Sequence, residues 1–410
     1  MKTKSIMTVV AAVLAIGTTS HAATLEELQK QLDELNSKVR EIQASKAPEP
    51  VPLDGGYLKK LKKGTQFSGY GELDYTFLRE NGNGNGGNSF DPHRIVLNVS
   101  SELSDWISFN SELEWEHGGK DGGDAGGVSV EQAYLDFNFT PAFNVKAGVM
   151  LNPMGAINQN HEPVNFYSTS RPALDTYLIP STWQEMGIGI HGALNPKIDY
   201  QLMAVTGLNG TKFDAEQGLR EGRQEFGKDS NRSISVTGRL DVRPITNLST
   251  AVSVYSGNSA PSGSPAAYTS IFAFDGKYRL SDFELSGEYV HVYQDKPGLL
   301  NPAIGRNMSG YWVEGAWHVM PKRFKQGKLA IADAILFGRY SELTTQDGGA
   351  YDPSLTSGRY DRNYTTVGMS FMPVPSVAIK ADYRFYRDHR ASTEVPLDND
   401  KFQVTIGFVF

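Results

Sequence analysis

From Gln66 onward, hydrophobic and polar residues alternate with a period of two. Phe67, Gly69, Gly71, Leu73, Tyr75 and Phe77 fall on one face, and Ser68, Tyr70, Glu72, Asp74 and Thr76 on the other. This is the pattern of a β-strand whose two faces meet different surroundings. The alternation returns along the chain. Ile107, Phe109, Leu113 and Trp115 oppose Asn110, Glu112, Glu114 and Glu116, while Ala133, Leu135, Phe137 and Phe139 oppose Gln132, Tyr134, Asp136 and Asn138. Near the end, Val377, Ile379, Ala381, Tyr383 and Phe385 oppose Lys380, Asp382, Arg384 and Tyr386. Each such strand offers one face to lipid and the other to water.

The connections alternate too. Short turns are predicted at Ser104-Asp105, Thr140-Pro141, Asn195-Pro196, Ser281-Asp282 and around residues 244–247, 320–328 and 373–376. Between them lie longer polar or Gly-rich loops near residues 81–89, 118–127, 152–182, 209–231, 257–268, 294–307, 342–361 and 388–398. Short turns on one side and long loops on the other predict an all-β fold, a transmembrane antiparallel β-barrel of about 16 strands over residues 66–410. A soluble sandwich or propeller needs neither such apolar outward faces nor this strict alternation of connections. The weakest predicted strand is 329–340, where Ile331, Ile335 and Phe337 share a face with Asp333 and Arg339.

Upstream the period changes. Thr24 and Glu27 form a capping box, and Leu25, Leu28, Leu32, Leu35, Val39 and Ile42 recur at spacings of three and four, a heptad seam over residues 23–46. A helix of roughly 20 residues is marginal alone in water, so the segment reads as a short α-helical coiled coil that makes a homotrimer; an amphipathic helix lying alone on the barrel or membrane is the alternative. Pro48, Pro50 and Pro52 make a stiff spacer, and Lys59, Lys60, Lys62 and Lys63 complete a linker over residues 47–65 that reads as a solvated juxtamembrane turn. Residues 1–22 have the make-up of a secretory signal: Lys2 and Lys4, an apolar run, then Ser20-His21-Ala22. The expected location is the outer membrane of a Gram-negative bacterium, with the coil in the periplasm.

Composition narrows the class. Forty-two Gly, nineteen Tyr, twenty Phe and no Cys, with a mean hydropathy of −0.37, suit strands that are half lipid-facing and half water-facing. A net charge of −7 and a pI of about 5.7 exclude a basic nucleic-acid binder. Histidines at His93, His117, His161, His191, His291, His318 and His389 are scattered, without HExxH or GxSxG, so no catalytic residue, cofactor or metal is expected. Asp121 and Asp124 sit in a Gly-rich loop without the ligand spacing of a calcium site.

A barrel of this size encloses water, and its function depends on what lines the lumen. The strand registers turn Glu72, Asp74, Glu112, Glu114, Glu116 and Asp136 inward early in the chain, and Lys277, Arg279, Arg339, Lys380 and Arg384 inward later, with Arg239 and Arg243 between. Facing walls of opposite sign would set a transverse field, unless neighbouring charges pair across strands. The expected role is passive diffusion of small hydrophilic solutes or ions, the alternative being a non-conducting tether or adhesin joined to the cell wall through the coil.

The last strand, Phe402, Val404, Ile406, Phe408, Phe410, resembles the C-terminal signature by which the insertion machinery recognises outer-membrane barrels. The stretch Ala147-Gly148-Val149-Met150-Leu151-Asn152-Pro153-Met154-Gly155, with His161-Glu162-Pro163, Arg171-Pro172 and Trp183-Gln184-Glu185-Met186-Gly187, resembles the strand and third loop of the phosphate-selective porin superfamily. The resemblance implies that the third loop, residues 152–182, folds into the lumen, where His161, Glu162, Arg171 and Asp175 shape the constriction. The phosphate channels of that family carry an arginine ladder along the lumen, whereas inward acids here, with Asp382 counted, are at least as numerous as inward bases. The coil before the barrel also resembles sugar-selective porins, and Tyr70, Tyr134, Trp312 and Tyr386 are compatible with sugar stacking.

Overall fold

The computed structural model describes residues 64–78, 87–118, 126–224, 234–301, 304–347, 360–389 and 400–410, together with Lys30 and Glu34, both exposed and in helical backbone. The expected signal, the rest of the heptad segment, the Pro spacer, Asp121 and Asp124 lie outside the described residues. The chain divides into two units, Met1–Lys60 and Leu61–Phe410, and the second is a closed barrel of sixteen strands.

In chain order these are β1 (Thr65–Leu78), β2 (Gly87–Glu102), β3 (Ile107–Glu116), β4 (Val128–Thr140), β5 (Phe143–Leu151), β6 (Gln184–Asn195), β7 (Ile198–Val205), β8 (Ser235–Val242), β9 (Leu248–Asn258), β10 (Tyr268–Leu280), β11 (Phe283–Gln294), β12 (Asn307–His318), β13 (Asp333–Asp347), β14 (Asp361–Val374), β15 (Val377–Asp388) and β16 (Lys401–Val409). Each strand pairs antiparallel with its neighbours in sequence, and β1 closes on β16 from Tyr70 opposite Val409 to Leu78 opposite Lys401.

Phe67, Leu73 and Phe77 of β1, Val252 and Val254 of β9, Phe272 and Phe274 of β10, and Ile379 of β15 are exposed on the outer surface. Such a surface is favourable against lipid tails, and a closed sheet leaves no backbone edge unpaired in the hydrocarbon. No helix among the described residues is long and apolar enough to cross a membrane; the strands do the crossing. Aromatic rings collect where the wall meets the interface. At the turn end Trp106 lies 5.6 Å from Phe139 and Phe283 stacks on Trp317 at 5.4 Å, and at the loop end Tyr268, Tyr293 and Tyr311 are exposed.

The structure corrects three local expectations. The β12–β13 connection spans residues 319–332, with 3-10 turns at Lys322–Phe324 and Gly327–Leu329, so Ile331 lies in the turn and β13 begins at Asp333. The weak alternation there has a cause: Ile335 and Phe337 face inward beside Tyr167 of the third loop. Arg243 falls just beyond β8, exposed and paired with Asp199. Finally, the lumen is not evenly wet. Met154, Leu174, Leu178, Ile179 and Trp183 of the third loop and Leu208, Phe213 and Leu219 of the fourth pack on Ile271, Val290, Val292, Met308 and Leu343 in one apolar cluster. That cluster fills the lumen along β10–β13, whereas residues of β1–β4 and Arg384 of β15 line open space.

Candidate functional site

The site is built by the third loop, the connection from β5 to β6. Asn158 clamps its two ends: its Nδ2 donates to the carbonyls of Asn152 (2.8 Å) and Trp183 (2.9 Å), and its Oδ1 accepts from the Trp183 N–H at 2.7 Å. The chain turns inward at Gly155, whose φ is +67° and where a Cβ would come within 2.3 Å of Glu288 Oε1; only glycine meets both demands. The Gly155 carbonyl accepts from Arg239 Nη1 at 2.8 Å. A single helical turn, α1 (Leu174–Tyr177), forms on the way back.

Between these points the loop reaches distant strands. Tyr167 donates to Glu284 of β11 at 2.9 Å. Ser168 accepts from Arg339 of β13 through Oγ (2.7 Å) and from Lys380 of β15 through its carbonyl (3.0 Å). Pro163 fills the space left by Gly407 on β16, where a Cβ would lie 2.6 Å away. His161 places Nε2 2.7 Å from the Tyr70 hydroxyl of β1, and its carbonyl accepts from Arg94 of β2 at 3.3 Å.

Of the residues named from sequence for the constriction, His161 is buried among Tyr70, Glu112 and Glu131. Glu162 is half-buried and accepts from Asn165 Nδ2 at 2.6 Å. Arg171 lines a chamber of about 890 Å³ together with Glu72, Asp74, Glu114, Glu116 and Arg384, and with Arg94, Glu131, Arg220 and Arg223. Burial and the nearby Arg94 pull Arg171 down to about 10, which leaves it cationic at neutral pH. Asp175 is fully buried and does not line that chamber. Lys277, Arg279 and Arg243 line a second space of about 640 Å³, with Tyr167.

Most lumen charges pair on their own wall. Arg94 donates to Glu72 at 2.8 and 3.0 Å, Arg239 grips Asp275 at 2.7 and 2.9 Å, Lys277 lies 2.6 Å from Glu284, Arg339 3.5 Å from Glu314 and His191 2.9 Å from Asp136. Of the two readings the sequence left open for these residues, pairing describes the geometry better than two facing walls of opposite sign. A basic cluster beside the third loop departs from balance. Arg171, Arg339, Arg384 and Lys401 line a narrow recess of about 10 Å³ with Ser170, Ser341, Tyr364 and Thr366, and Asp382 is its one acid. Asp382 is already engaged by Thr169, and Nε of Arg384 meets no acceptor among the described residues. Ser170, Arg171, Ala173 and Arg384 line both the recess and the chamber, so the two spaces adjoin.

Several of these residues escape the sequence reading. Glu131 does because a β-bulge between Glu112 and Leu113 shifts the β3–β4 register; counting by twos back from Asp136 would leave Glu131 on the lipid side, yet it is 1% exposed inside. Lys401 was legible, two positions before Gln403 on the inward face of β16. Arg220 and Arg223 lie on a loop where no periodicity marks them.

A profile of the family described as "Phosphate-selective porin O and P" matches residues 66–410. An uncharacterized protein of Aquifex aeolicus (strain VF5) is 31% identical over 369 residues, 86% of this chain and 81% of its own length. Among solved structures, the outer membrane channel DcaP of Acinetobacter baumannii aligns over 86% of this chain and 99% of its own, at 12% identity and a TM-score of 0.57. The trimer form of OmpT, an outer membrane protein of Vibrio cholerae, aligns over 84% and 99%, at 12% identity and a TM-score of 0.52. At these identities the likeness to solved structures is one of fold.

Proposed function

Because the chain belongs to the phosphate-selective porin O and P family, and so to the porins of the outer membrane, we propose that its channel passes small hydrophilic solutes by passive diffusion and favours those carrying an anionic group. The observation that carries this reading is the recess of Arg171, Arg339, Arg384 and Lys401 against the single acid Asp382. Charges at a narrow, poorly screened point govern ion permeation more than charges in an open mouth. Guanidinium groups also match the geometry of oxyanions, and Ser170, Ser341, Thr366 and Tyr364 add hydroxyl donors. The arrangement is a local cluster at the loop, not a ladder along the lumen.

The heptad segment supports a homotrimer, since so short a helix needs partners, and a barrel of similar fold, OmpT of Vibrio cholerae, is described in a trimer form. The short-turn end of the barrel, with the C-terminus, faces the periplasm in this reading and the coil extends there. Phe410, exposed on the outer surface, is the group offered to the insertion machinery.

Reversal potential of the purified protein in a planar bilayer under a KCl gradient tests the reading. The expected result is a potential of the sign that chloride permeation produces, moving further in that direction in Asp382→Asn. Cation preference, or a barrel that inserts and passes no current, would overturn it.

A further inference from the structure

We propose that Glu112, Glu131 and His161 hold one divalent transition-metal ion of the Zn2+ class, which pins the third loop to the barrel wall. The three side chains come from β3, from the bulge on β4 and from the loop. Nε2 of His161 lies 3.9 Å from Glu112 Oε1 and 3.5 Å from Glu131 Oε2, and the three donor atoms all lie within 4.8 Å of one another. A tetrahedral ion with bonds of about 2.0–2.2 Å holds its ligands roughly 3.4 Å apart, so small side-chain movements suffice to close the set.

The surroundings prepare these residues for an ion. Nδ1 of His161 lies 3.0 Å from the Asn158 carbonyl; a proton there fixes the tautomer whose Nε2 lone pair points at the two carboxylates, the arrangement that orients metal-binding histidines. The Tyr70 hydroxyl, 2.7 Å from that nitrogen and 3.4 Å from Glu131 Oε2, stands near the fourth position, which it or a water would complete. Glu131 is 1% exposed, and its Oε1 meets no hydrogen-bond partner among the described residues. Glu112 and Glu114 are buried beside it, and the neighbouring guanidinium, Arg94, is shared between Glu72, to which it donates, and Glu114, 3.9 Å away. Buried carboxylates in excess of their cations are unfavourable, and a dication among them removes both the excess charge and the unmet acceptor. The imidazole selects a transition ion over calcium or magnesium, which favour larger all-oxygen sets. Glu131 lines the open chamber, which supplies the way in.

A second group, Asp91, His93 and His117, also brings its donor atoms within 4.8 Å but is more exposed, so the test is made with His93→Ala/His117→Ala as the reference protein. Mature protein in detergent, stripped with chelator, is titrated with Zn2+ alone by calorimetry, and folding of every variant is read from heat-modifiable gel mobility. The expected result is one Zn2+ per protomer, bound at least about tenfold more weakly in Glu131→Gln, Glu112→Gln and His161→Asn, with no competition from Ca2+. Three variants are used so that one failing to fold leaves two to decide. Absence of stoichiometric binding in the reference protein, or equal affinity in the folded variants, would overturn the proposal. A conductance arm, in which Zn2+ lowers open-channel noise and chelator restores it, rests on the channel reading; the binding arm does not.

Discussion

Thr169 donates both its backbone N–H and its hydroxyl to the carboxylate of Asp382, at 2.5 and 3.0 Å, and so ties the middle of the third loop to β15 across 213 residues of sequence. Both groups are buried, and hydrogen bonds to a charged acceptor contribute roughly 1.5–3 kcal/mol each. Asp382→Ala should release the loop and raise single-channel open-state noise. Thr169→Val, which keeps the backbone bond, should do so less. Unchanged noise in Asp382→Ala would mean that the other anchors suffice.

Arg171→Glu should shift permeability towards cations, and Glu162→Lys towards anions. Arg171 lines both the chamber and its recess, and Glu162 lies on the same loop. With a Debye length of about 10 Å at 0.1 M salt and roughly 3 Å at 1 M, both shifts should shrink as salt is raised. Deleting most of residues 158–170 should increase conductance. Reversal potentials that ignore both substitutions would place these charges away from the ion path.

Removing Phe410 should lower the yield of barrel in the outer membrane while the molecules that insert conduct normally. Its backbone bonds Gly69 in both directions, at 2.8 and 3.0 Å, and its ring covers that glycine so closely that a Cβ would lie 2.6 Å from it and 2.2 Å from the Val96 carbonyl. Gly69→Val should therefore reproduce part of the loss. Membrane yields equal to wild type at low expression would count against both.

Burial pushes the Asp175 carboxyl up to about 7, in a setting shared with Glu288, Trp312, Arg339 and Arg171, against about 3.9 for a free side chain. Since the folded value is the higher, the folded state holds the proton over that interval, and stability present below about pH 4 is lost as pH rises through 7. The barrel should convert to its unfolded gel form at a lower temperature at pH 8 than at pH 5. Asp175→Asn should flatten that difference, and an unchanged pH dependence would assign it to other groups.

Deleting residues 23–52 should abolish or weaken the oligomer and leave a conducting barrel, because the period changes from 3.5 to 2 across the Pro spacer. Native gels and bilayer recordings on the same preparation check it. Loss of barrel folding would show that the two parts depend on each other.

The barrel was legible because the signal for it is local. Each strand alternates according to the lipid and water on its own two faces, so Phe67 to Phe77 in β1 and Phe402 to Phe410 at the end report their environment without reference to one another. The inward sides of Glu72, Glu112, Lys380 and Arg384 follow from the same count. Pairing is not local. Whether Glu72 is a free lumen charge or the partner of Arg94, and whether Asp175 meets solvent or Glu288, depends on which residues barrel closure and the folded loop bring together. Where the inward face turns apolar, as at Ile335 and Phe337, the alternation fades because a loop, not water, covers it. A bulge is one residue long and leaves no periodic trace, which is why Glu131 took its place beside His161 only in the tertiary structure: a period-two pattern encodes the side of a wall, while a site is set by distances across it.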